Sequence, residues 1–272
     1  MKTLLVNADD FGFTRDVNSG IVEAHTRGIL TATTLMANGA AFDDAVVLSR
    51  EIPTLDIGCH LVLVGGKSIV TGNEFPLTVS QLLAAIALNR LDPYAELKAQ
   101  IQKIVDAGLR PVHMDTHKHT HLFPPVLDAV ARLSSEFHIS WIRRPFDFPR
   151  GPGRLPLSKR LVSKASGLVR PRLERVLRQN GCRSTDHFAG FALTGLFTAQ
   201  HVVELIRALP EGSTEFMVHP GHCTAELRAT GTRLKESRAA ELAALVAPEV
   251  RQALDEEGVT LSGYRTAMSA PR

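Results

Sequence analysis

The segment HMDTHKHTHLFP, residues 113–124, carries four histidines and an aspartate within nine residues. Imidazole and carboxylate groups bind metal ions and carry protons. A tetrahedral or octahedral ion cannot accept four imidazoles from one strand and loop without awkward geometry. We therefore interpret His117 as one metal ligand, with Asp115 nearby and with His119 and His121 along the rim of a pocket. The alternative is a solvated histidine-rich loop.

Other chemically competent side chains also stand at the carboxyl ends of predicted strands. These are Asp9 and Asp10, His60, Arg143 and Arg144, and His219. Neighbouring side chains diverge along a strand, so one of the two aspartates can bind a metal while the other faces substrate or water. Taken singly, the aspartates also fit a capped strand end, and His60 also fits a satisfied core histidine.

Together these strand ends supply the groups that metal-assisted hydrolysis requires. One carboxylate and two imidazoles from three strands can hold a cation with an open position for water. A second carboxylate can remove a proton from that water, and a further histidine can protonate a leaving group. The sequence therefore favours a hydrolytic enzyme.

The elements that must position these residues alternate between short apolar runs and helical patterns. Strands are predicted at 4–10, 30–38, 56–63, 112–117, 139–144, 186–193, 213–219 and 259–265, with helices between most of them. Such alternation indicates right-handed βαβ units and a parallel sheet. No GxGxxG follows the first strand, which disfavours a doubly wound dinucleotide fold. We predict an α/β fold: one domain, 1–272, forming a distorted or partly closed (β/α) barrel, TIM-barrel-like, with a basic helical insertion.

Composition sets the broad class of the protein. The 272 residues are 44% hydrophobic and 22% charged, which is typical of a globular chain. Three widely separated cysteines make a disulfide framework improbable, so a cytoplasmic location is expected. The first apolar run is too short for a signal peptide, and no run is long enough to span a membrane.

Six stretches of the sequence resemble the YdjC-like carbohydrate deacetylases, in family order and over most of the chain. They are NADDFG (7–12), DVNSGIVEAHTRG (16–28), TATTLMANG (31–39), IGCHLVL (57–63), HMDTHKHTHLFP (113–124) and HPG (219–221). Within that family the chain looks most like the hopanoid-biosynthesis-associated HpnK branch. Lys118 departs from the pattern, because many relatives have a histidine at that position.

The resemblance implies a distorted (β/α) barrel that hydrolyses N-acetyl groups of amino sugars. It implies Asp10, His60 and His117 as ligands of one divalent metal ion, Asp9 as general base, and His219 as general acid or oxyanion partner. It implies that Asp115 contacts a metal ligand rather than the metal itself, and that Arg143 or Arg144 orients Asp9. Mixed nitrogen and oxygen ligation favours Zn²⁺, while Mg²⁺, Mn²⁺, Co²⁺ and Ni²⁺ stay open.

Residues 150–183 form a strongly basic segment. Ten basic residues against the single acid Glu174 give +9, so the remaining chain carries −6 of the net +3. Apolar residues alternate with these cations, a pattern typical of an interfacial helix on anionic lipid. The alternatives are a solvated helical cap and a contact between copies in a homo-oligomer. Nucleic acid is not expected as a partner, because the segment has no aromatic residue for base stacking.

The leading hypothesis is an N-deacetylase acting on a hopanoid that bears N-acetylglucosamine, at the inner membrane surface. A second hypothesis is a soluble chitooligosaccharide deacetylase, or another metal hydrolase on the same barrel. A third is a membrane-surface glycan-binding protein without activity. That third reading predicts the loss of at least one ligand or acid–base residue, and none is missing.

Overall fold

A parallel sheet of eight strands forms the centre of the molecule. The structure is a computed structural model, and it describes residues 1–148 and 168–269. The strands are β1 (Lys2–Phe11), β2 (Ala32–Leu35), β3 (Asp56–Leu61), β4 (His113–Thr116), β5 (Trp141–Ile142), β6 (His187–Ala189), β7 (Gly212–Val218) and β8 (Thr260–Leu261).

Helices connect the strands and cover the outside of the sheet. They are α1 (Arg15–Arg27), α2 (Phe42–Glu51), α3 (Val79–Ala87), α4 (Pro93–Asp106), α5 (Pro124–Glu136), α6 (Arg170–Gln179), α7 (Ala199–Arg207), α8 (Ala225–Arg228), α9 (Glu236–Leu245), α10 (Pro248–Glu256) and α11 (Tyr264–Ser269). A 3₁₀ helix, His117–Leu122, joins β4 to α5. None of the helices within 1–148 and 168–269 is both long enough and apolar enough to cross a bilayer.

The sheet curls into a partly closed barrel. Its strand order is β5-β4-β3-β2-β1-β7-β6, and β8 pairs with the beginning of β1. Isolated parallel bridges join Trp141 to Arg183 and Asp147 to Phe188, so the chain after β5 meets the chain around β6. The predicted α/β barrel-like fold is confirmed. Because all pairs are parallel, the carboxyl ends of the strands share one face of the barrel.

The interior of the barrel changes from apolar to polar along its axis. Side chains alternate along β1, so Leu5, Asn7 and Asp9 share one face. Leu5 packs with Ala32, Trp141 and Tyr264 at the amino end of the barrel. Leu4, Val6 and Ala8 belong to the larger core that contains the helices. The polar residues therefore collect above an apolar plug, at the carboxyl face.

Several strands are shorter than predicted. After β8 the chain turns into α11, and the ring of Tyr264 stacks on His113 with centroids 3.9 Å apart. β5 ends at Ile142, so Arg143 and Arg144 follow the strand. Short strands suffice here because barrel pairing and packing, more than local β propensity, hold the backbone.

Part of the predicted basic insertion is a helix. Residues 170–179 form α6, which buries Leu173 and Leu177 and exposes its arginines. The portion of the prediction that falls on residues 149–167 lies outside the described residues.

Helix α1 touches the loop after β7 through two glycines. A Cβ added to Gly20 would lie 2.4 Å from Cα of Gly221, a backbone atom with no room to withdraw. We expect Gly20→Ala to lower the free energy of unfolding by about 1–3 kcal/mol, because overpacking displaces backbone. Urea denaturation measures this loss. Gly231→Ala is the matched control, since a Cβ there meets no atom within 4 Å; an equal loss in both variants would contradict the contact.

Candidate active site

The end of β1 departs from regular strand geometry at the two aspartates. The register with β2 shifts between Ala8 and Phe11, which marks a bulge, and Asp10 has φ of 70°. Bulges redirect side chains next to functional sites. Both aspartates are buried and both enter the site, in different directions. The predicted divergence is therefore present, but it depends on a left-handed residue in addition to simple strand alternation.

Three donor atoms converge at the carboxyl face. Asp10 Oδ1 lies 3.3 Å from His60 Nε2 and 3.5 Å from His117 Nδ1, and the two imidazole nitrogens are 3.2 Å apart. The three side chains come from β1, β3 and the first residue of the 3₁₀ helix. His117 is partly exposed whereas Asp10 and His60 are buried, so the group opens toward solvent on the His117 side.

These donors fit a small divalent cation. Bonds of about 2.0–2.1 Å in a tetrahedral site separate the ligand atoms by about 3.3 Å, close to the three observed separations. A carboxylate with two imidazoles is a common ligand set, with further positions left for water or substrate. Asp10, His60 and His117 therefore have the chemistry and spacing of three ligands around one ion.

The buried charges around these donors also favour a cation. The ion-paired cluster contains four carboxylates, from Asp9, Asp10, Asp115 and Glu215, and the two guanidinium groups of Arg143 and Arg238. With all four carboxylates ionised and the His60 ring neutral, two positive and four negative charges leave two negative charges. Burial disfavours net charge, so a divalent ion would balance the cluster.

Asp115 orients His60. Its Oδ1 accepts a hydrogen bond from His60 Nδ1 at 2.5 Å, and its Oδ2 accepts one from Thr34 Oγ1 at 3.0 Å. Because Nδ1 carries the proton, Nε2 of a neutral ring presents its lone pair to the other donors. Burial opposes the charged ring, but Asp115 and then Asp10 raise the pKa of His60 to about 10 when no cation competes for that lone pair. Sequence reasoning placed Asp115 beside His117, whereas the register pairs it with His60.

Arg143 lies at the centre of the buried acids. It donates from Nη1 and Nη2 to the two oxygens of Asp9, at 2.8 and 2.6 Å. Nη2 also lies 2.7 Å from Asp115 Oδ2, and Nε donates to Glu215 Oε1 at 2.7 Å. Burial would raise the pKa of Asp9, but Arg143 outweighs it and holds that pKa well below the usual range. Asp9 is therefore ionised and fixed in orientation.

His219 follows β7 and faces Asp9. Its Nε2 lies 3.9 Å from Asp9 Oδ2, and its backbone N–H donates to Glu241 Oε2 at 2.6 Å. Burial lowers the pKa of His219 to about 4, so the ring is neutral at neutral pH. Glu241 also accepts from the Gly195 N–H at 3.0 Å, so one carboxylate joins the chain after β6 to the loop that carries His219.

Two predicted site residues do not lie on the pocket rim. His119 and His121 were expected in a loop along the pocket rim, yet both are buried. His121 bonds to Thr116 Oγ1 and to the Arg143 carbonyl, and His119 packs against Phe188 and Phe191. Positive φ at Lys118 and His119 turns the chain inward, which the histidine spacing did not reveal.

Arg144 does not reach Asp9. It pairs with Glu174 and donates to the carbonyl of Thr185, so it supports the junction between β5 and β6. Of the two arginines proposed to orient Asp9, only Arg143 contacts it. The chain leaves β5 after Ile142, and the two side chains then point to different neighbours.

Sequence reasoning missed Arg238, Glu215 and Glu241. A usable signal was present: Glu215 shares a strand face with His219, and Arg238 and Glu241 occupy the buried stripe of α9 with Leu242 and Leu245. Charged residues on an otherwise buried face require partners, so they point toward a polar interior.

Comparisons with known proteins find similarity over nearly the whole chain. A family model described as YdjC-like protein matches residues 3–256. A carbohydrate deacetylase of Brevibacillus brevis is 33% identical over 267 residues, 95% of this chain and 96% of that protein. One of Geobacillus stearothermophilus is 34% identical over 270 residues, 96% of each.

Two further similarities concern part of the chain and the fold. A chitooligosaccharide deacetylase of Salmonella paratyphi B is 42% identical over 145 residues, 50% of this chain and 56% of that protein. Among solved structures, a proposed cellobiose-phosphate cleavage protein of Enterococcus faecalis V583 superposes with a TM-score of 0.73, at 24% identity, over 98% of both chains. That structure supports the fold.

The three convergent donors predict one divalent cation per chain. We expect His60→Ala and His117→Ala to weaken binding of Zn²⁺ at least about 100-fold, because each removes a direct ligand. Isothermal titration and elemental analysis of the purified protein measure affinity and stoichiometry. His121→Gln is the control, from the same histidine-rich segment but bonded to Thr116 and Arg143. Unchanged stoichiometry in the His60 variant would refute this ligand set.

Proposed function

This chain belongs to the YdjC-like protein family, and we propose on that basis that it is a metal-dependent hydrolase that removes the N-acetyl group from a glycan or glycolipid bearing N-acetylglucosamine. The observation that carries the proposal is the juxtaposition of two groups at the carboxyl face. One is the triangle of Asp10, His60 and His117. The other is the facing pair of Asp9 and His219. Together they supply metal ligands, a base and an acid for hydrolysis of an amide.

Asp10, His60 and His117 would hold the cation. When bound, a divalent ion supplies Lewis acidity, which lowers the pKa of water and polarises the acetyl carbonyl. The mixed oxygen and nitrogen ligands favour Zn²⁺, and they also accept Mg²⁺, Mn²⁺, Co²⁺ or Ni²⁺.

Asp9 takes the proton from the attacking water. Arg143 holds both of its oxygens and keeps the carboxylate ionised, so it is ready as an acceptor. A carboxylate with a depressed pKa is a weak base, so Asp9 would need the lowered water pKa that a bound divalent ion would supply. One C–O bond forms to the acetyl carbon and the C–N bond breaks, giving acetate and an amine.

His219 delivers a proton to the departing nitrogen. Burial keeps the ring neutral at rest, so it must first gain a proton. Asp9 Oδ2 lies 3.9 Å from His219 Nε2 and can return the proton taken from water. The backbone of His219 is fixed by Glu241, which keeps Nε2 on the Asp9 side. The cycle then ends with both groups in their starting states.

The substrate proposed for this chain is a glycolipid, most specifically a hopanoid bearing N-acetylglucosamine. The hopanoid-associated HpnK branch rests on the sequence resemblance, and an apolar surface beside the site adds support. Helix α3 lies in the connection between β3 and α4, at the carboxyl face, and Lys118 Nζ donates to the Leu77 carbonyl at 3.4 Å. Residues 75–89 contain no charged side chain, and Leu77 and Leu88 are 73% and 59% exposed.

We also propose that the protein works at the cytoplasmic surface of the inner membrane, with the basic segment as a second contact. In the described part of that segment, α6 exposes arginines that can meet anionic headgroups. A soluble chitooligosaccharide is the alternative substrate, favoured by the partial match to the Salmonella deacetylase.

Substitution of the acid–base pair tests the reaction. We expect Asp9→Asn and His219→Ala each to lower the deacetylation rate about 100-fold to 10,000-fold, because each removes a proton-transfer group. Mass spectrometry follows the loss of about 42 mass units per acetyl group on N-acetylglucosamine oligosaccharides and on the hopanoid glycolipid.

Two controls accompany this experiment. Asp106→Asn changes an exposed carboxylate of α4 and should keep the wild-type rate. Metal analysis must show that both site variants still bind the ion. If both variants deacetylate normally with the metal in place, the acid–base assignment is wrong.

Membrane contact is tested by flotation with anionic vesicles. We expect Leu77→Ser with Leu88→Ser, and separately Arg175→Glu with Arg178→Glu, to weaken vesicle binding about 10-fold or more, because apolar contact and headgroup attraction are lost. Hydrolysis of a soluble chitooligosaccharide should not change. Val47→Ser and Arg207→Glu, exposed residues of α2 and α7, are the matched controls. Equal flotation of all variants would exclude docking through these surfaces.

A further inference from the structure

Arg238 is a fully buried arginine that reaches the site from α9. Only 1% of its surface is exposed, and its Nη2 pairs with Asp10 Oδ2. Its Nε donates to the Leu234 carbonyl at 3.2 Å, and its guanidinium lies 5.9 Å from the centroid of the Phe13 ring. These contacts fix the direction of the guanidinium, so they also fix the oxygen that it binds.

The pairing divides the two oxygens of Asp10 between different tasks. Oδ1 faces His60 Nε2 and His117 Nδ1, while Oδ2 is occupied by Arg238. The carboxylate stands on a residue with φ of 70°, in the left-handed region that few non-glycine residues adopt. Arg238 therefore selects which oxygen the histidines meet, and it withholds the other.

The same helix also holds the loop that carries His219. The backbone N–H of Gly221 donates to the Arg238 carbonyl at 3.2 Å. One helical turn later, Glu241 accepts from the N–H of His219. Any displacement of α9 would thus move Asp10 and the His219 loop together.

We propose that Arg238 is a positioning residue that keeps Asp10 facing His60 and His117 through one oxygen and ties that geometry to the His219 loop. The inference rests on the proposed function, because it assigns Arg238 to the same metal ligand. Occupation of Oδ2 prevents Asp10 from chelating the ion with both oxygens. Coordination positions are then kept for water and for the acetyl carbonyl, as catalytic sites require.

A positioning role and a purely structural role of Arg238 predict different effects of metal on stability. Without Arg238 the metal-free protein contains a buried Asp10 carboxylate that has lost its guanidinium partner, and a cation at the three donors can replace that positive charge. Metal should therefore stabilise an Arg238→Met variant more than it stabilises the wild type. If Arg238 only packs the helix, the variant loses the same stability with and without metal.

The experiment uses the full chain and Zn²⁺ as the probe. We expect the rise in Tm on adding Zn²⁺ to be larger for Arg238→Met than for the wild type. We expect kcat on a chitooligosaccharide to fall about 10-fold to 100-fold, the usual effect of losing a group that orients a metal ligand, with KM changed less than kcat. Arg265→Met is the control, because it removes an ion pair with Asp56, at the end of β3 far from His60. This variant should keep the wild-type Zn²⁺-induced rise in Tm and the wild-type kcat.

Arg238→Lys keeps the test decisive if the methionine variant does not fold. Lysine retains the positive charge, but its side chain is shorter and carries a single nitrogen. It therefore cannot reproduce the guanidinium contact. A folded lysine variant with wild-type kcat would overturn the proposal, as would equal Zn²⁺-induced Tm shifts in Arg238→Met and the wild type. Failure of the wild type to bind Zn²⁺ or to deacetylate would instead refute the proposed function.

Discussion

The buried guanidinium of Arg143 is the interaction on which the polar interior depends. It joins Asp9, Asp115 and Glu215, which come from three different strands. Without it three carboxylates would lie together in a low-dielectric interior, and removing one partner of a buried pair costs about 3–5 kcal/mol. Because Asp115 in turn orients His60, the single guanidinium of Arg143 positions both the proposed base and a proposed metal ligand. Arg143 therefore contributes both to the stability of the fold and to the geometry of the candidate site.

The barrel protects that arrangement by separating apolar from polar interior layers. Leu5, Ala32, Trp141 and Tyr264 close the amino end. Above them His113 stacks on Tyr264 and bonds to Asn7, whose amide donates to Asp9. His117 is 30% exposed whereas Asp10 and His60 are buried, so the electrostatic interactions among the buried groups act with little screening.

The sequence was sufficient to predict the fold and which polar residues meet at the carboxyl face. Strand periodicity placed Asp9, Asp10, His60, His117 and His219 at one face, and the structure brings them together there. Parallel topology makes this possible, because strand ends of a barrel converge whatever their separation along the chain.

Periodicity could not predict which distant side chains form ion pairs, or where the chain makes local turns. The contact of Arg238 with Asp10 spans 228 positions, and no local pattern encodes it. The inward turn of His119 depends on two residues with positive φ, which are set by packing. Arg143 and Arg144 are adjacent and chemically identical, so only the end of β5 distinguishes their roles.

The position of β1 has a consequence for biosynthesis. This first strand lies between β2 on one side and β7 on the other. β8 pairs with Thr3 and Leu4, near the beginning of β1. The partners of its aspartates include His219 and Arg238, which are made late. A growing chain therefore holds these two carboxylates without His219 and Arg238 until positions 219 and 238 have been translated. The candidate site therefore depends on contacts of long sequence separation, which form more slowly than local ones.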